Sequence, residues 1–127
     1  MEGKTMALLV VEDDEEMRNL LCDELSSEGY QIQEARTGEE AIAAAARSKL
    51  HLIITDLRMP GGGVKYIDRL RGSASQCPIV VMTAFGDERT RAELMQAGAT
   101  AYFSKPVRIS ELKATVRTLI ETHRPRG

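Results

Sequence analysis

Residues 6–16 read MALLVVEDDEE, in which a run of six apolar residues leads directly into five acids. The apolar part is nearly continuous in Leu and Val, which is typical of a central parallel strand that helices cover on both faces. The acids follow at the point where such a strand would end. The stretch therefore indicates the fold class and also where the fold would keep a charged site.

Four further short apolar runs predict strands at 30–35, 50–55, 78–83 and 100–104. The runs at 50–55 and 78–83 are as continuous as the first and predict central strands. The run at 30–35 alternates between apolar and polar residues, which suits an edge strand.

Segments with helical periodicity lie between these runs. Gly29 ends the first segment and Gly98 the fourth, and Thr37 with Glu40 forms a capping box at the start of the second. The apolar positions that mark helices are Met17, Leu20, Leu21 and Leu25 in the first, Val64, Ile67 and Leu70 in the third, Leu94 and Met95 in the fourth, and Ile109, Leu112, Val116, Leu119 and Ile120 in the fifth.

Five alternations of strand and helix predict an α/β fold, a doubly wound (βα)₅ sandwich of the flavodoxin-like type with a parallel five-stranded sheet of order 2-1-3-4-5. A chain of 127 residues has room for one domain. We assign residues 1–122 to that domain and 123–127 to a tail or truncated linker. In such sheets ligands bind at the carboxyl ends of the strands.

The composition excludes several functions. A net charge of −2 argues against direct binding to nucleic acid or to an anionic membrane. No apolar run approaches the roughly 20 residues of a membrane span, and no secretory signal opens the chain, so we expect a cytoplasmic protein. Cys22 and Cys77 lack metal-site spacing and are expected to be free thiols, and two isolated histidines do not make a metal site.

The predicted strand ends carry the candidate site residues Asp13, Asp14, Asp56, Thr83 and Lys105. If the first, third, fourth and fifth strands are neighbours, these side chains converge. Two carboxylates 4 Å apart repel by about 4 kcal/mol at an effective dielectric near 20, so a compensating cation is needed. One lysine leaves an excess of two negative charges, and an all-oxygen site of this kind is what Mg²⁺ prefers.

The remaining acids have a simpler explanation. Glu15 and Glu16 fall in the first helical turn, where negative side chains interact favourably with the helix dipole. Taken alone, the whole acidic run could equally be a solvated helix start, and that alternative stays open at this point.

Further motifs at the strand ends decide between these readings. The order and spacing of VVEDDE, IITDLRMPG, VVMTAFGD and AGATAYFSKPV, followed by a terminal amphipathic helix, resemble the receiver domain of bacterial two-component response regulators over essentially the full chain. Each motif is weak alone, but the combination is highly specific.

The resemblance implies a role for each matching position. Asp56 would be the phosphoacceptor, Asp13 and Asp14 would hold Mg²⁺ directly or through water, and the backbone carbonyl of Arg58 would complete the protein ligands. At the remaining two strand ends, Thr83 would bond the phosphoryl oxygen and Lys105 would contact it. Tyr102 would be the aromatic residue whose rotamer changes on phosphorylation, and the Lys105–Pro106 bond would be cis.

The resemblance also implies a signalling function. The chain would be a phosphorylation-dependent switch in a two-component system or phosphorelay, accepting its phosphoryl group from a sensor histidine kinase or phosphotransfer protein. It would stand alone or be cut from a larger, possibly transcriptional, regulator, and would act on a downstream target or a missing output domain. A phosphorylation-linked homodimer is a further expectation. The chain would not be an enzyme beyond slow self-phosphorylation and self-dephosphorylation.

Two places depart from the family pattern. The loop Gly61–Gly63 is one residue short, and a flexible connector is favoured there over a phosphate-cradling loop, because the lysine of a P-loop is absent. Arg108 occupies the expected cap position of the last helix and cannot accept hydrogen bonds from backbone amides. Either Ser110 caps this helix or its first turn frays.

An enzyme is the alternative function. A Mg²⁺-dependent phosphohydrolase would also use an aspartate nucleophile such as Asp56, but the haloacid-dehalogenase type needs a second aspartate two residues later, where this chain has Arg58. Dinucleotide binding is disfavoured, because acids rather than glycines follow the first strand.

Overall fold

The computed structural model describes residues 5–74, 76–84 and 87–123, so the expected tail at 123–127 lies outside the described residues except for His123. Strands and helices alternate five times, as predicted. The elements are β1 (Ala7–Val11), α1 (Glu15–Ser26), β2 (Gln31–Ala35), α2 (Gly38–Arg47), β3 (Leu52–Asp56), α3 (Val64–Ser73), β4 (Ile79–Thr83), α4 (Glu88–Ala97), β5 (Ala101–Ser104) and α5 (Ile109–Thr122).

The five strands form one parallel sheet of order β2-β1-β3-β4-β5, which confirms the predicted fold class. The continuous apolar strands β1, β3 and β4 are central, and the alternating β2 lies at an edge, as expected. Their registers align Val11 with Ala35 on one side and with Thr55 on the other, and Asp56 with Met82. The carboxyl ends of the strands therefore meet at one edge of the sheet.

Helices cover both faces of the sheet. On one face α2, α3 and α4 pack on the side chains of Leu9, Ile53 and Val81. On the other face α1 and α5 pack on Leu8 and Ile54. Because both faces are buried, the central strands carry apolar side chains at nearly every position. None of the helices in the described part of the chain has the length and hydropathy to span a membrane.

The helix starts show which sequence signals were correct. The Thr37 hydroxyl accepts from the Glu40 amide at 3.1 Å, which confirms Thr37 as the N-cap of α2, while the Glu40 carboxylate accepts from the Arg36 amide at 2.9 Å, one residue before the position that a capping box uses. Helix α5 begins at Ile109, and its N-cap residue Arg108 makes no side-chain cap hydrogen bond. Ser110 lies inside the helix, so the alternative in which it acts as the cap is wrong.

The apolar stripe of α1 differs from the predicted one. Leu21 and Leu25 are buried as expected, but Leu20 is 44% exposed. Its expected place on the core face is taken by Arg18, which is only 5% exposed. Residues 18, 21 and 25 are spaced by three and four, so they share one face of the helix.

The glycine loop is closely packed rather than an open connector. The Gly38 amide donates to the Pro60 carbonyl at 2.9 Å, and the Gly62 amide donates to the Met59 carbonyl at 3.0 Å. A Cβ atom on Gly62 would lie 2.1 Å from the Leu57 carbonyl oxygen, so only glycine fits there. Gly61 has a φ of 78°, in the region that favours glycine. These glycines let the loop turn tightly against the start of α2.

Candidate functional site

The carboxyl edge of the sheet holds a cleft of about 460 Å³. It is built from the ends of β1, β3, β4 and β5 and the loops that follow them. The residues that line it are Glu12, Asp13, Asp14, Asp56, Arg58, Met59, Ala84 and Lys105. Segments that are distant in sequence thus meet in space, as the strand order requires.

Lys105 links two of the acids. Its Nζ lies 2.9 Å from Oε1 of Glu12 and 2.9 Å from Oδ2 of Asp56. The side chains of Glu12 and Asp56 are 1% and 5% exposed, so these ion pairs are largely removed from water. The Lys105 amide also donates to the Thr83 carbonyl at 2.9 Å, which fixes the start of this loop against β4. The Lys105–Pro106 bond is cis, as the resemblance implied.

The pKa values of Glu12 and Lys105 are shifted by burial and by the charged groups around them. Burial raises the pKa of the Glu12 carboxyl and the nearby Asp56 charge adds to the rise, although hydrogen bonds from Lys105 and the Asp14 amide oppose it. Burial by itself lowers the pKa of Lys105, but its hydrogen bonds to Asp56 and Glu12 outweigh burial, so this pKa is raised. The lysine is therefore held in its charged form by the two acids.

The Asp56 carboxylate is oriented by three N–H donors. Oδ1 accepts from the Leu57 amide at 2.7 Å and from the Arg58 amide at 3.2 Å, while Oδ2 accepts from Lys105. These bonds hold the side chain at the wall of the cleft.

A metal ion would find three oxygen ligands in this cleft. Ligand oxygens of Glu12, Asp13 and Asp56 all lie within 4.8 Å of one another. With Lys105 beside them, the three carboxylates leave an excess of two negative charges. A set of carboxylate oxygens without His or Cys has the chemistry that Mg²⁺ prefers, so the residues present fit this ion.

This set differs from the predicted pair of Asp13 and Asp14. The Asp14 carboxylate accepts from the Met17 amide at 2.8 Å and acts as the N-cap of α1, although the residue still borders the cleft. Sequence reasoning gave Glu12 no role, yet its carboxylate points to Lys105. The geometry therefore favours Glu12 over Asp14 as the second acid.

The two predicted switch residues lie on the same face of the sheet. Thr83 ends β4 and is 1% exposed. Tyr102 pairs with Val81, two residues before Thr83 on β4, and packs against the core on the face that α2, α3 and α4 cover. The Tyr102 hydroxyl oxygen is buried and has no hydrogen-bond partner among the described residues. Because this oxygen has no hydrogen bond to the described residues, movement of the tyrosine breaks none of their hydrogen bonds.

The structure also shows a buried hydrogen-bond chain behind Asp56 that the sequence did not predict. The Thr55 hydroxyl donates to the Asp56 carbonyl at 2.8 Å and lies 2.9 Å from the Tyr66 hydroxyl. Because Thr55 has one hydroxyl hydrogen, Tyr66 is the donor in the second bond. Helix α3 thus supports the backbone at Asp56. A tyrosine at an apolar helix position was the only signal in the sequence.

Comparison with known proteins adds the family context. The model of the response regulator receiver domain family matches residues 8–117. The KDP operon transcriptional regulatory protein KdpE of Escherichia coli is 37% identical over 117 residues, which cover 91% of this chain and 52% of that protein. The chain thus spans about half the length of this curated relative.

Solved structures agree at the level of the fold. A CheY-like response regulator receiver domain from Methanospirillum hungatei superposes with a TM-score of 0.92 at 22% identity, covering 98% of this chain and all of that chain. The receiver domain of the sensor histidine kinase PA1611 from Pseudomonas aeruginosa has a TM-score of 0.83 at 26% identity, covering 93% and 99% of the two chains. That structure is described with a magnesium ion coordinated in its active-site cleft.

Proposed function

Because the chain belongs to the response regulator receiver domain family, we propose that Asp56 accepts a phosphoryl group and that this modification switches the binding surface of the domain. Receiver domains are signalling switches rather than classical enzymes. The observation that carries the proposal is the position of Lys105. It follows β5, and its Nζ lies 2.9 Å from a carboxylate oxygen of Asp56 and 2.9 Å from one of Glu12.

The chemistry needs positioning and charge compensation more than proton transfer. A carboxylate oxygen of Asp56 attacks phosphorus, and an O–P bond forms while the bond from phosphorus to the donor nitrogen of phosphohistidine breaks. The Leu57 and Arg58 amides orient the carboxylate. Lys105 neutralises part of the charge on the transferred group.

Magnesium is the proposed cofactor. Glu12, Asp13 and Asp56 would hold it, together with the backbone carbonyl of Arg58. The ion, when bound, supplies the positive charge that lets three carboxylates and an incoming phosphoryl group share one cleft. Asp14 would then contribute through its cap of α1 rather than as a direct ligand.

Thr83 and Tyr102 are the proposed switch. A phosphoryl group on Asp56 attracts the Thr83 hydroxyl, because the added group is strongly anionic and a good hydrogen-bond acceptor. Displacement of Thr83 frees space on the face of the sheet where Tyr102 packs. The tyrosine position would then report the phosphorylation state to partners that bind over α4, β5 and α5.

The wider context is also a proposal. Receiver domains interact with histidine kinases and with output domains, and a sensor kinase or phosphotransfer protein would be the phosphoryl donor here. Residues 1–122 would form the domain and 123–127 would start a linker to an output domain, or the chain would stand alone. We expect it to act in the cytoplasm, with phosphorylation-linked homodimerisation through the α4–β5–α5 surface as one mode of output.

Phosphorylation by a small acyl phosphate tests the proposal. In the presence of Mg²⁺, acetyl phosphate should add one phosphoryl group, detected by intact mass, and Asp56→Asn should abolish the addition. Asp68→Asn, which changes an exposed acid on α3, is the matched control and should label normally. An unchanged mass of the wild-type protein, or labelling of Asp56→Asn, would contradict the assignment.

The same assay addresses the enzyme alternative. A phosphohydrolase would release phosphate from an external ester at more than roughly 1 s⁻¹. The family match does not favour this alternative, and Arg58 stands where such enzymes need an acid.

A further inference from the structure

Arg18 is a buried charge that the proposed phosphoryl transfer does not use. It is 5% exposed and lies on the core face of α1 together with Leu21 and Leu25. Arginine is almost never fully buried unless its guanidinium is paired. An apolar residue at this position would fill the core without that requirement, so the contacts of Arg18 need an explanation.

The guanidinium makes two different contacts. Nη1 donates to the backbone carbonyl of Glu12 at 2.9 Å, and Nε pairs with Oε1 of Glu34 on β2 at 3.0 Å. The side chain of Glu34 is half exposed, so the ion pair reaches the surface while the bond to the carbonyl is buried. Arg18 therefore ties the loop after β1 to the edge strand.

The carbonyl that Arg18 binds belongs to the peptide group that joins Glu12 to Asp13. These are two of the three acids in the proposed metal site. Because a peptide group is planar, the direction of its carbonyl constrains how the two flanking residues are oriented relative to each other. The Glu12 amide is bound separately, to the Ala35 carbonyl at 3.0 Å. Glu12 is thus bound at its amide by Ala35 and at its carbonyl by Arg18.

We propose that Arg18 is a positioning residue that sets the relative orientation of Glu12 and Asp13 for a divalent cation. This inference rests on the proposed metal site. Arg18 contacts the backbone of Glu12 and not its carboxylate, so it acts through geometry. Groups that orient metal ligands from outside the coordination shell typically change metal affinity 10–100-fold when they are removed.

A titration with Mg²⁺ alone, followed by thermal unfolding, tests this role. A fit of the logarithmic rise of the melting temperature with Mg²⁺ concentration gives the concentration at which the native site is half saturated, separately from the stability of the metal-free protein. Arg18→Met keeps the apolar part of the side chain and should raise the half-saturation concentration about tenfold or more. Arg18→Lys retains one charged donor and should recover part of the loss.

Three further variants separate position from charge. Arg117→Met removes an arginine that pairs with Glu28 on the surface, and should leave the half-saturation point unchanged. Glu34→Gln keeps an acceptor for Nε and should resemble the wild type, whereas Glu34→Ala should shift half-saturation in the same direction as Arg18→Met, by less.

The outcomes are distinct. A wild-type half-saturation point in Arg18→Met, with melting temperatures lowered equally at all Mg²⁺ concentrations, would make Arg18 a purely structural residue and overturn the inference. If Arg18→Met does not fold, wild-type Mg²⁺ affinity in both Arg18→Lys and Glu34→Ala would overturn it. If the wild-type protein shows no response to Mg²⁺, the proposed metal site fails and this inference fails with it.

Discussion

The two ends of the sheet are built from different kinds of side chain. Among the described residues, the buried acids, threonines and arginine all belong to the carboxyl end or the helix turn beside it: Glu12, Arg18, Thr55, Asp56 and Thr83. The opposite end has an apolar cleft of about 290 Å³, with Leu50, Cys77 and Pro78 in its lining. One of the polar contacts at this end is a bond of 3.0 Å from the Ala7 amide to Nδ1 of His51.

The amino end of the sheet contributes mainly to stability, whereas the carboxyl end carries the groups of the proposed site. Apolar burial at the amino end stabilises the fold without a ligand. Burial of the Glu12 and Asp56 carboxylates at the other end costs free energy that their ion pairs with Lys105 offset only in part. A chain that needed stability alone would not collect these groups, so their convergence supports the proposed site for a cation and a phosphoryl group.

The reactivity of Cys77 gives the largest expected effect and tests the apolar end. Burial raises the pKa of the Cys77 thiol from 9.0 to about 12 and that of Cys22 to about 11. The native thiolate population at pH 8 is then about 1,000-fold lower for Cys77 and about 100-fold lower for Cys22 than in the unfolded chain. Alkylation by iodoacetamide, followed by mass spectrometry, should slow accordingly.

The pH dependence has a defined sign. Above pH 9 the unfolded thiols release their protons first, so the free energy of unfolding should fall as the pH rises toward the folded pKa values. Below pH 9 the thiols should contribute no slope. Equal alkylation rates of Cys77 in the native and the denatured protein would show that this end of the sheet is open.

Magnesium should stabilise the charged end. At a Mg²⁺ concentration 100 times the dissociation constant, the free energy of unfolding should rise by about 2.7 kcal/mol. Asp13→Asn should reduce this gain and should leave the metal-free protein as stable as the wild type or more so, because it removes a repelling charge. Calorimetry with and without Mg²⁺ measures both effects. The exposed Asp68→Asn is the control, and identical Mg²⁺ gains in the two variants would contradict the site.

Lys105 and Lys113 provide a matched pair of lysines. Their side chains are 22% and 21% exposed, and each contacts two carboxylates. The partners of Lys105 are buried, whereas Glu24 and Glu28 beside Lys113 are 39% and 29% exposed. Without Mg²⁺, Lys105→Met should lower the free energy of unfolding by about 1–3 kcal/mol, because buried charges lose their partner.

Lys113→Met should have a smaller effect, because water screens its ion pairs. Urea denaturation of both variants measures the difference. Equal losses would show that burial of the acids does not distinguish the charged end from an ordinary helix surface.

The smallest expected effect comes from the hydrogen-bond chain behind Asp56. Tyr66→Phe removes the donor to Thr55 and should cost about 1 kcal/mol. Tyr30→Phe, at a partly buried position, should change stability by less than about 0.5 kcal/mol. The two variants can be compared by urea denaturation. If Tyr66→Phe loses no more stability than Tyr30→Phe, this hydrogen-bond chain does not stabilise the site.

The individual elements were largely predictable from local pattern. Runs such as 78–83 had strand character throughout, and the N-cap residue Thr37 fixed the start of α2. Asp56 was predicted as the phosphoacceptor because the sheet topology and the family motif agree on that position. Local pattern failed where a side chain had two available partners. Asp14 turned to its own helix, and the sequence contained nothing to show that Glu12 would turn to Lys105.

Arg18 and Leu20 illustrate the same limit on α1. A simple count of apolar positions put Leu20 in the core, but burial followed the face that includes Arg18. An arginine is buried only if distant groups satisfy it, and those groups, the Glu12 carbonyl and Glu34, meet it only after β1 and β2 have paired. The packed glycine loop is a similar case, because its partners belong to α2 and to the Leu57 region.

The sequence by itself determined the order of strands and helices, the central position of the apolar strands and the identity of the edge that carries Asp56 and Lys105. These follow from periodicity and from the geometry of parallel sheets, which are local or topological rules. Only the tertiary structure decided which acids share the cleft and which side chain holds their backbone. Those choices depend on distances of a few ångströms between segments far apart in the chain, and the free energy of a hydrogen bond or ion pair changes steeply over such distances.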